Sequence, residues 1–311
     1  MINYYIEDSH KFNYYTDSDT PIDAKITVLE HNVIVYVTEI TLSKDVTYFT
    51  HLTNGWNDKK IIILNTISND EIIFDMPGEI SKLTESQKIK FNKYCKYIIL
   101  SDVSELCDIM NKQGSDKASK PINSGSAGHN YTRYYSQIFE KFRYDEINLF
   151  ELGLGTNNLN IESNMGETGI PGASIFGWQE YFRNGHIFGA DVDTGCLFNT
   201  DKIKTFFCDQ TNPWIIRQMW NNKYLDFNFD IIIEDGLHTF NSNVIFFENS
   251  YYKLKKHGIY IIEDIYNEEI PNWLNKFDEY EIKFPQFNFE LIQLECNHNV
   301  GDNNLIKITY K

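Results

Sequence analysis

Apolar residues in the second half of the chain gather into short, near-continuous runs, Ile231-Ile232-Ile233 and Ile259-Tyr260-Ile261-Ile262 among them. Unbroken runs of this length predict parallel strands buried on both faces. Strands are expected at 147–155, 186–193, 205–209, 229–235 and 258–264. Between and before them the pattern predicts helices at 132–142, 173–182, 213–221 and 241–255, the third with Pro213 at its first turn. Two last strands, 289–295 and 304–310, are close enough to pair as an antiparallel hairpin around 297–303. The alternation implies an α/β class with a mostly parallel sheet.

The first 108 residues read differently. Lys25-Ile26-Thr27-Val28-Leu29, Val33-Ile34-Val35-Tyr36-Val37, Lys60-Ile61-Ile62-Ile63-Leu64 and Tyr97-Ile98-Ile99-Leu100 are short β-rich runs, and one helix is expected over 84–94. This block carries no catalytic constellation and is read as a small N-terminal α/β accessory domain, 1–108, used for assembly or lidding. Residues 111–130, rich in Ser, Gly, Lys and Asn, have loop composition. They belong to a linker and covering segment, 109–146, ahead of the main domain, 147–311. No internal repeat is evident.

Composition narrows the partners. With 28 basic and 44 acidic residues, a formal charge of −16 argues against binding a nucleic acid polymer, which needs clustered Lys and Arg. The N-terminus lacks a basic-then-apolar leader and no 18-residue apolar run occurs, so no membrane insertion is expected. Cys95, Cys107, Cys196, Cys208 and Cys296 form no C-x-x-C pair, which fits a reduced, cytoplasmic location.

Ligands of open α/β sheets lie beyond the carboxyl ends of the strands. The strand at 147–155 ends in Glu151-Leu152-Gly153-Leu154-Gly155, where Gly153 and Gly155 permit a sharp turn and close backbone approach. The third glycine of a dinucleotide fingerprint is missing, which lowers the odds of NAD. Glu151 suits the cationic amino group of a methionine moiety better than a pyrophosphate. The next strand ends at Asp191, with Asp193 beside it, placed to accept both ribose hydroxyls; Asp209 ends the third and can receive an adenine amino group.

The fourth strand runs into Glu234-Asp235-Gly236-Leu237-His238 and the fifth into Ile262-Glu263-Asp264. Asp235, Glu263 and Asp264 brought together would repel unless a cation lay among them, and all-oxygen ligation favours Mg²⁺ or a similar divalent ion. His238 would overhang that ion as a general base.

Residues 147–265 resemble the metal-dependent O-methyltransferases of the macrocin and mycinamicin sugar type, a group that includes cephalosporin-hydroxylase-like proteins. The resemblance rests on Glu-Leu-Gly-Leu-Gly-Thr (151–156), Gly-Ala-Asp-Val-Asp (189–193), Asp-Gln-Thr-Asn-Pro (209–213), Glu-Asp-Gly-Leu-His (234–238) and Ile-Glu-Asp (262–264). It implies a Rossmann-like class I methyltransferase sheet that binds S-adenosylmethionine through the first three segments, Thr156 and Gln210 included. Asp235, Glu263 and Asp264 would be its metal ligands and His238 its base. Gly114-Ser115-Asp116-Lys117 and His129-Asn130-Tyr131-Thr132 resemble the segment that encloses cofactor and substrate, and so add Tyr131 and Thr132. An insertion at 157–171 departs from the simplest pattern and is a candidate lid or acceptor wall. The function expected is methylation of a sugar hydroxyl, on a nucleotide-activated sugar or a glycoconjugate precursor, by a homo-oligomer. A methyltransferase of small amines or phosphorylated alcohols, and a non-catalytic nucleotide-binding assembly protein, are the alternatives.

Overall fold

The computed structural model describes residues 2–8, 11–16, 22–30, 33–43, 48–51, 59–65, 71–75, 84–98, 100, 103–118, 128–294 and 301–311. The chain divides into two compact units, one of residues 1–101, 267–279 and 290–295, the other of 102–266, 280–289 and 296–311.

In the first unit, β1 (Ile2–Asp8) pairs antiparallel with β2 (Lys11–Thr16), and a second antiparallel sheet contains β3 (Ile22–Glu30) and β4 (Val33–Leu42). Strand β5 (Tyr48–His51) extends the first sheet beyond β2; β6 (Lys59–Asn65) and β7 (Glu71–Asp75) complete the second in the order β4-β3-β6-β7. Helix α1 (Glu85–Tyr94) begins at Thr84, whose hydroxyl accepts from the Gln87 amide in a capping box. It leads into β8 (Cys95–Ile98), which pairs with β1.

The second unit opens with α2 (Glu105–Gln113), capped by Ser104 and closed by Gly114 at φ 81°. This helix crosses residue 108 and takes up the start of the stretch whose composition reads as loop. Its buried Leu106, Cys107, Ile109 and Met110 supply the apolar stripe that composition averaged away. Residues 119–127 of that stretch lie outside the described residues. Helix α3 (Tyr131–Ile138) follows, then β9 (Asn148–Leu152), α4 (Ala173–Tyr181), β10 (His186–Asp191), β11 (Ile203–Phe207) and α5 (Pro213–Trp220). Next come β12 (Phe229–Glu234), α6 (Phe240–Glu248) and β13 (Leu254–Ile262); then α7 (Ile270–Lys283) and β14 (Phe287–Leu294), of which 270–279 and 290–294 are assigned to the first unit, and last β15 (Asn304–Tyr310).

Further elements differ from expectation. Helix α6 stops at Glu248 rather than 255, and β13 begins at Leu254, because the polar Lys255-Lys256-His257 start of that strand carries no buried-strand signal. Helix α7 is an addition to the expected pattern, although its buried Ile270, Trp273, Leu274 and Phe277 follow helical spacing.

The strand order is β11-β10-β9-β12-β13-β15-β14, with β9 to β13 parallel to one another and β15 antiparallel to β13. That is the mostly parallel Rossmann-like sheet with an antiparallel C-terminal pair; residues 295–300 of the connection, Cys296 included, lie outside the described residues. Chain order reverses beside β9, which makes the β9/β12 boundary the switch point where such sheets take ligands. Alternation along β9 decides what each face sees. Phe150 packs on Trp220 of α5 at 4.5 Å between ring centroids, while Glu151 turns to α4 on the other face. Among the described residues no helix is long and apolar enough to cross a membrane.

Candidate active site

A cavity of about 710 Å³ opens at the carboxyl ends of β9, β10 and β12, lined in part by Gly153, Gly155, Thr156, Asp191, Asp209, Gln210, Asp235, His238 and Asp264. The sheet ladder continues one residue past each strand: the Gly153 amide donates to Ala190 O, Asp235 to Leu152 O and Glu263 to Glu234 O, at 2.8–2.9 Å. The strand-end residues therefore arrive on adjoining rungs.

Gly153 holds φ 90°, and a Cβ there would stand 1.7 Å from the Asp235 carbonyl oxygen. Only glycine fits both that backbone and that approach. Asp191 braces the turn: one oxygen accepts from the Leu154 amide and the other from the Asp193 amide, both at 2.8 Å. Asp193 accepts from the Thr156 hydroxyl and the Gly195 amide, which together hold its carboxyl below the usual range. Asp209 accepts from the Thr211 amide and hydroxyl. Gln210 is a strut, donating to Glu234 at 2.6 Å and accepting from the Leu237 amide at 2.7 Å.

Glu151 lies beneath the cavity and outside its lining, fully buried, with Ser174 and Trp178 Nε1 donating to its two oxygens. Burial pushes its pKa up to about 7, against the pull of Lys117 Nζ at 3.8 Å. Lys117 is itself 2% exposed and ion-paired with Asp235 Oδ2 and Glu263 Oε2. Burial opposes its charge, but Asp235, Glu263 and Glu151 outweigh it and raise its pKa well above normal.

Helix α3 presents Tyr131 and Tyr135 one turn apart, on one face. Tyr131 donates to Asp264 Oδ1 and Tyr135 to Glu263 Oε1, both at 2.6 Å. Thr132 is buried and donates to Cys107 Sγ at 3.1 Å. Tyr131 and Thr132 thus hold the cavity's frame and are not part of its lining.

Asp235, His238 and Asp264 bring one ligand atom each within 4.8 Å of one another. His238 Nδ1 is buried without a hydrogen bond, 3.9 Å from Asp235 Oδ1 and 3.5 Å from Asp264 Oδ2. Glu263, the other expected ligand, sits behind them with Lys117 and Tyr135. On the far side His129 Nε2 lies 3.4 Å from Asp264 Oδ1. Burial opposes ionisation of Asp264, yet His129, His238 and the Tyr131 hydroxyl hold its carboxyl below the ordinary value; burial and the neighbouring Asp264 push Asp235 up against Lys117. Four carboxylates (Glu151, Asp235, Glu263, Asp264) thus face one lysine and two imidazoles. That acid excess and the undonated His238 nitrogen fit a divalent cation.

The residues missed in the sequence are Lys117, Tyr135 and His129. Lys117 and His129 stand in quoted segments but had no assigned role, and Tyr135 is legible only as the position four beyond Tyr131. The 157–171 insertion borders the cavity: the Met165 amide donates to Thr156 O at 2.8 Å, and Ser163 Oγ to Leu237 O at 3.2 Å.

No family model matches the chain. Comparison with curated proteins gives 26% identity over 178 residues with the 8-demethyl-8-alpha-L-rhamnosyl tetracenomycin-C 2'-O-methyltransferase of Streptomyces olivaceus, covering 57% of this chain and 42% of that protein. The demethylmacrocin O-methyltransferase of Streptomyces fradiae is 29% identical over 149 residues, 47% of this chain and 34% of that protein. Both sequence relatives are named as O-methyltransferases, the first of a rhamnosyl compound. The match spans less than half the length of either curated relative. Among solved structures, the MycE methyltransferase of the mycinamycin biosynthetic pathway, in complex with Mg and SAH, aligns over 95% of this chain and 84% of its own at 14% identity and a TM-score of 0.49.

Proposed function

We propose that this chain is an S-adenosylmethionine-dependent O-methyltransferase that methylates a sugar hydroxyl of a glycosylated small molecule. The observation that carries the reading is the meeting of Asp235, His238 and Asp264 beside the Gly153–Gly155 turn in one cavity. The rhamnosyl compound named for the Streptomyces olivaceus relative favours that acceptor class over a polysaccharide precursor.

In this reading Gly153, Gly155, Thr156, Asp191 and Asp209 form the cofactor side, with Asp193, Gln210, Glu151, Tyr131 and Thr132 holding it in shape. Asp235 and Asp264, with Glu263 behind them, are the carboxylates that would hold a Mg²⁺ ion. When bound, such an ion makes an acceptor hydroxyl more acidic. His238 takes the hydroxyl proton as the oxygen attacks the sulfonium methyl, and Asp235 and Asp264 stabilise the imidazolium that results. S-adenosylmethionine, when bound, would supply the methyl group and keep the sulfur electron pair as a neutral thioether, and His238 balances the charge by passing the proton it took to solvent. Self-association belongs to the reading and is checked by light scattering.

Calorimetric titration with S-adenosylmethionine, with and without Mg²⁺, and transfer of labelled methyl to a panel of glycosylated macrolides and nucleotide sugars test the proposal. Cofactor binding with label on a glycoside supports it. Label on nucleotide sugars alone moves the acceptor class, and absence of cofactor binding overturns the reading.

A further inference from the structure

The cavity's cationic counterpart is a residue to which the proposed chemistry gives no task. Lys117 follows α2, its amide donating to Ser115 Oγ at 3.3 Å and its carbonyl accepting from the Thr132 amide at 3.1 Å. The 114–117 and 129–132 stretches of the covering segment are thereby joined, and the side chain is sent beneath the cavity. There its ammonium meets Asp235 Oδ2, Glu263 Oε2 and, at 3.8 Å, Glu151 Oε1. All three carboxylates belong to strand ends of the parallel sheet, and Glu151 and Glu263 are buried as completely as Lys117.

Asp235 is the junction. Its Oδ2 faces Lys117, whereas its Oδ1 is the oxygen nearer His238. A divalent ion held by Asp235 and Asp264 would therefore share the Asp235 carboxylate with a fixed positive charge. Like charges held against one carboxylate in a low-dielectric interior repel, and each weakens the hold of the other. Without the ammonium, however, the buried Glu151 and Glu263 and the half-buried Asp235 would face one another with no fixed positive charge among them in the cation-free protein, and carboxylates so placed repel.

We propose that Lys117 is a positioning residue and built-in counter-ion of the carboxylate cluster: it holds Asp235 and Glu263 in place before a divalent ion arrives and sets that ion's affinity low enough for exchange. This rests on the cation site of the proposed function. It separates Glu263, whose charge is matched from below by Lys117, from Asp264, which is matched by imidazoles. The side chain acts through Asp235 and contacts neither acceptor nor cofactor.

The test uses the full chain and Mn²⁺ alone, followed by calorimetry and by electron paramagnetic resonance of free Mn²⁺. Lys117→Met is expected to bind Mn²⁺ at least about tenfold tighter than wild type, equivalent to 1.4 kcal/mol. Its melting temperature without metal should fall and then recover on Mn²⁺ addition, while Lys117→Arg stays near wild type in both readouts. Unchanged or weaker Mn²⁺ binding by a folded Lys117→Met protein overturns the inference. Should that variant not fold, wild-type protein labelled with ¹⁵N at lysine Nζ decides: a protected ammonium resonance that moves on Mg²⁺ addition supports the role, and none that moves refutes it. Failure of wild-type protein to bind Mn²⁺ at all would instead strike at the cation site itself.

Discussion

His238 and Asp264 meet across the cavity with Nδ1 3.5 Å from Oδ2, and both hold a left-handed backbone, φ 57° and 55°. Non-glycine residues adopt that region at a cost of about 1–3 kcal/mol each, borne when the surroundings over-determine the geometry. Asn tolerates the same backbone. His238→Asn should therefore retain the fold with a melting temperature close to wild type, yet lower methyl transfer by roughly 10²–10⁴-fold, the usual worth of a general base. Cofactor affinity should change little. Near-normal turnover by this variant, measured with labelled cofactor, would remove His238 from the chemistry.

Gly153 and Gly166 share positive φ but not surroundings. A Cβ on Gly153 meets the Asp235 carbonyl at 1.7 Å, whereas nothing lies within 4 Å of one on Gly166. Gly166→Ala should cost only the left-handed backbone term, roughly 1–2 kcal/mol. Gly153→Ala must also push β9 and β12 apart, so it should lose clearly more stability and abolish cofactor binding. Urea denaturation of the two variants side by side, with cofactor titration, checks the contrast.

Glu151 makes stability depend on pH. Burial, outweighing Lys117, pushes its carboxyl up to about 7 in the folded protein from an ordinary 4.5. Between those values the unfolded chain binds fewer protons than the native one, so this group's contribution to stability falls as pH rises, by about 3 kcal/mol in all. Glu151→Gln should flatten that part of the profile. Denaturation midpoints at pH 5 and pH 7.5 measure it, and an identical pH slope in the variant would refute the assignment.

Burial pushes the Cys196 and Cys208 thiols up to about 12. At pH 8 only about one in ten thousand is then a thiolate, the reactive form. Iodoacetamide at that pH should leave both unmodified in the native protein and label both in urea, as read by peptide mass spectrometry.

Most of the second unit's architecture was legible in advance, because buried parallel strands announce themselves as unbroken apolar runs and Pro213 marks a helix start. The exceptions have physical causes. The polar opening of β13 hid its true start, and α2 is too short for its stripe to outweigh the polar residues that follow. Helix α7 did carry a readable stripe, at 270, 273, 274 and 277. In the site, the strand-end acids could be named from their positions, but their partners could not. Glu151 was expected to face the ligand and is buried with Trp178. Asp191 and Asp193 brace the glycine turn through backbone and hydroxyl donors.

By itself, the sequence determined the order of the parallel strands and of the helices between them, the glycine turn after β9 and the acids at the strand ends, because these follow from local periodicity and from what a backbone turn requires. Tertiary structure alone decided which acids share a counter-ion. Lys117 is 118 residues from Asp235 and 146 from Glu263 along the chain, and Tyr135 is 128 from Glu263. No local pattern encodes such pairings: they exist only once the sheet has aligned its strand ends and α3 has laid two tyrosines against them. Burial then makes each uncompensated charge too costly to leave unmatched.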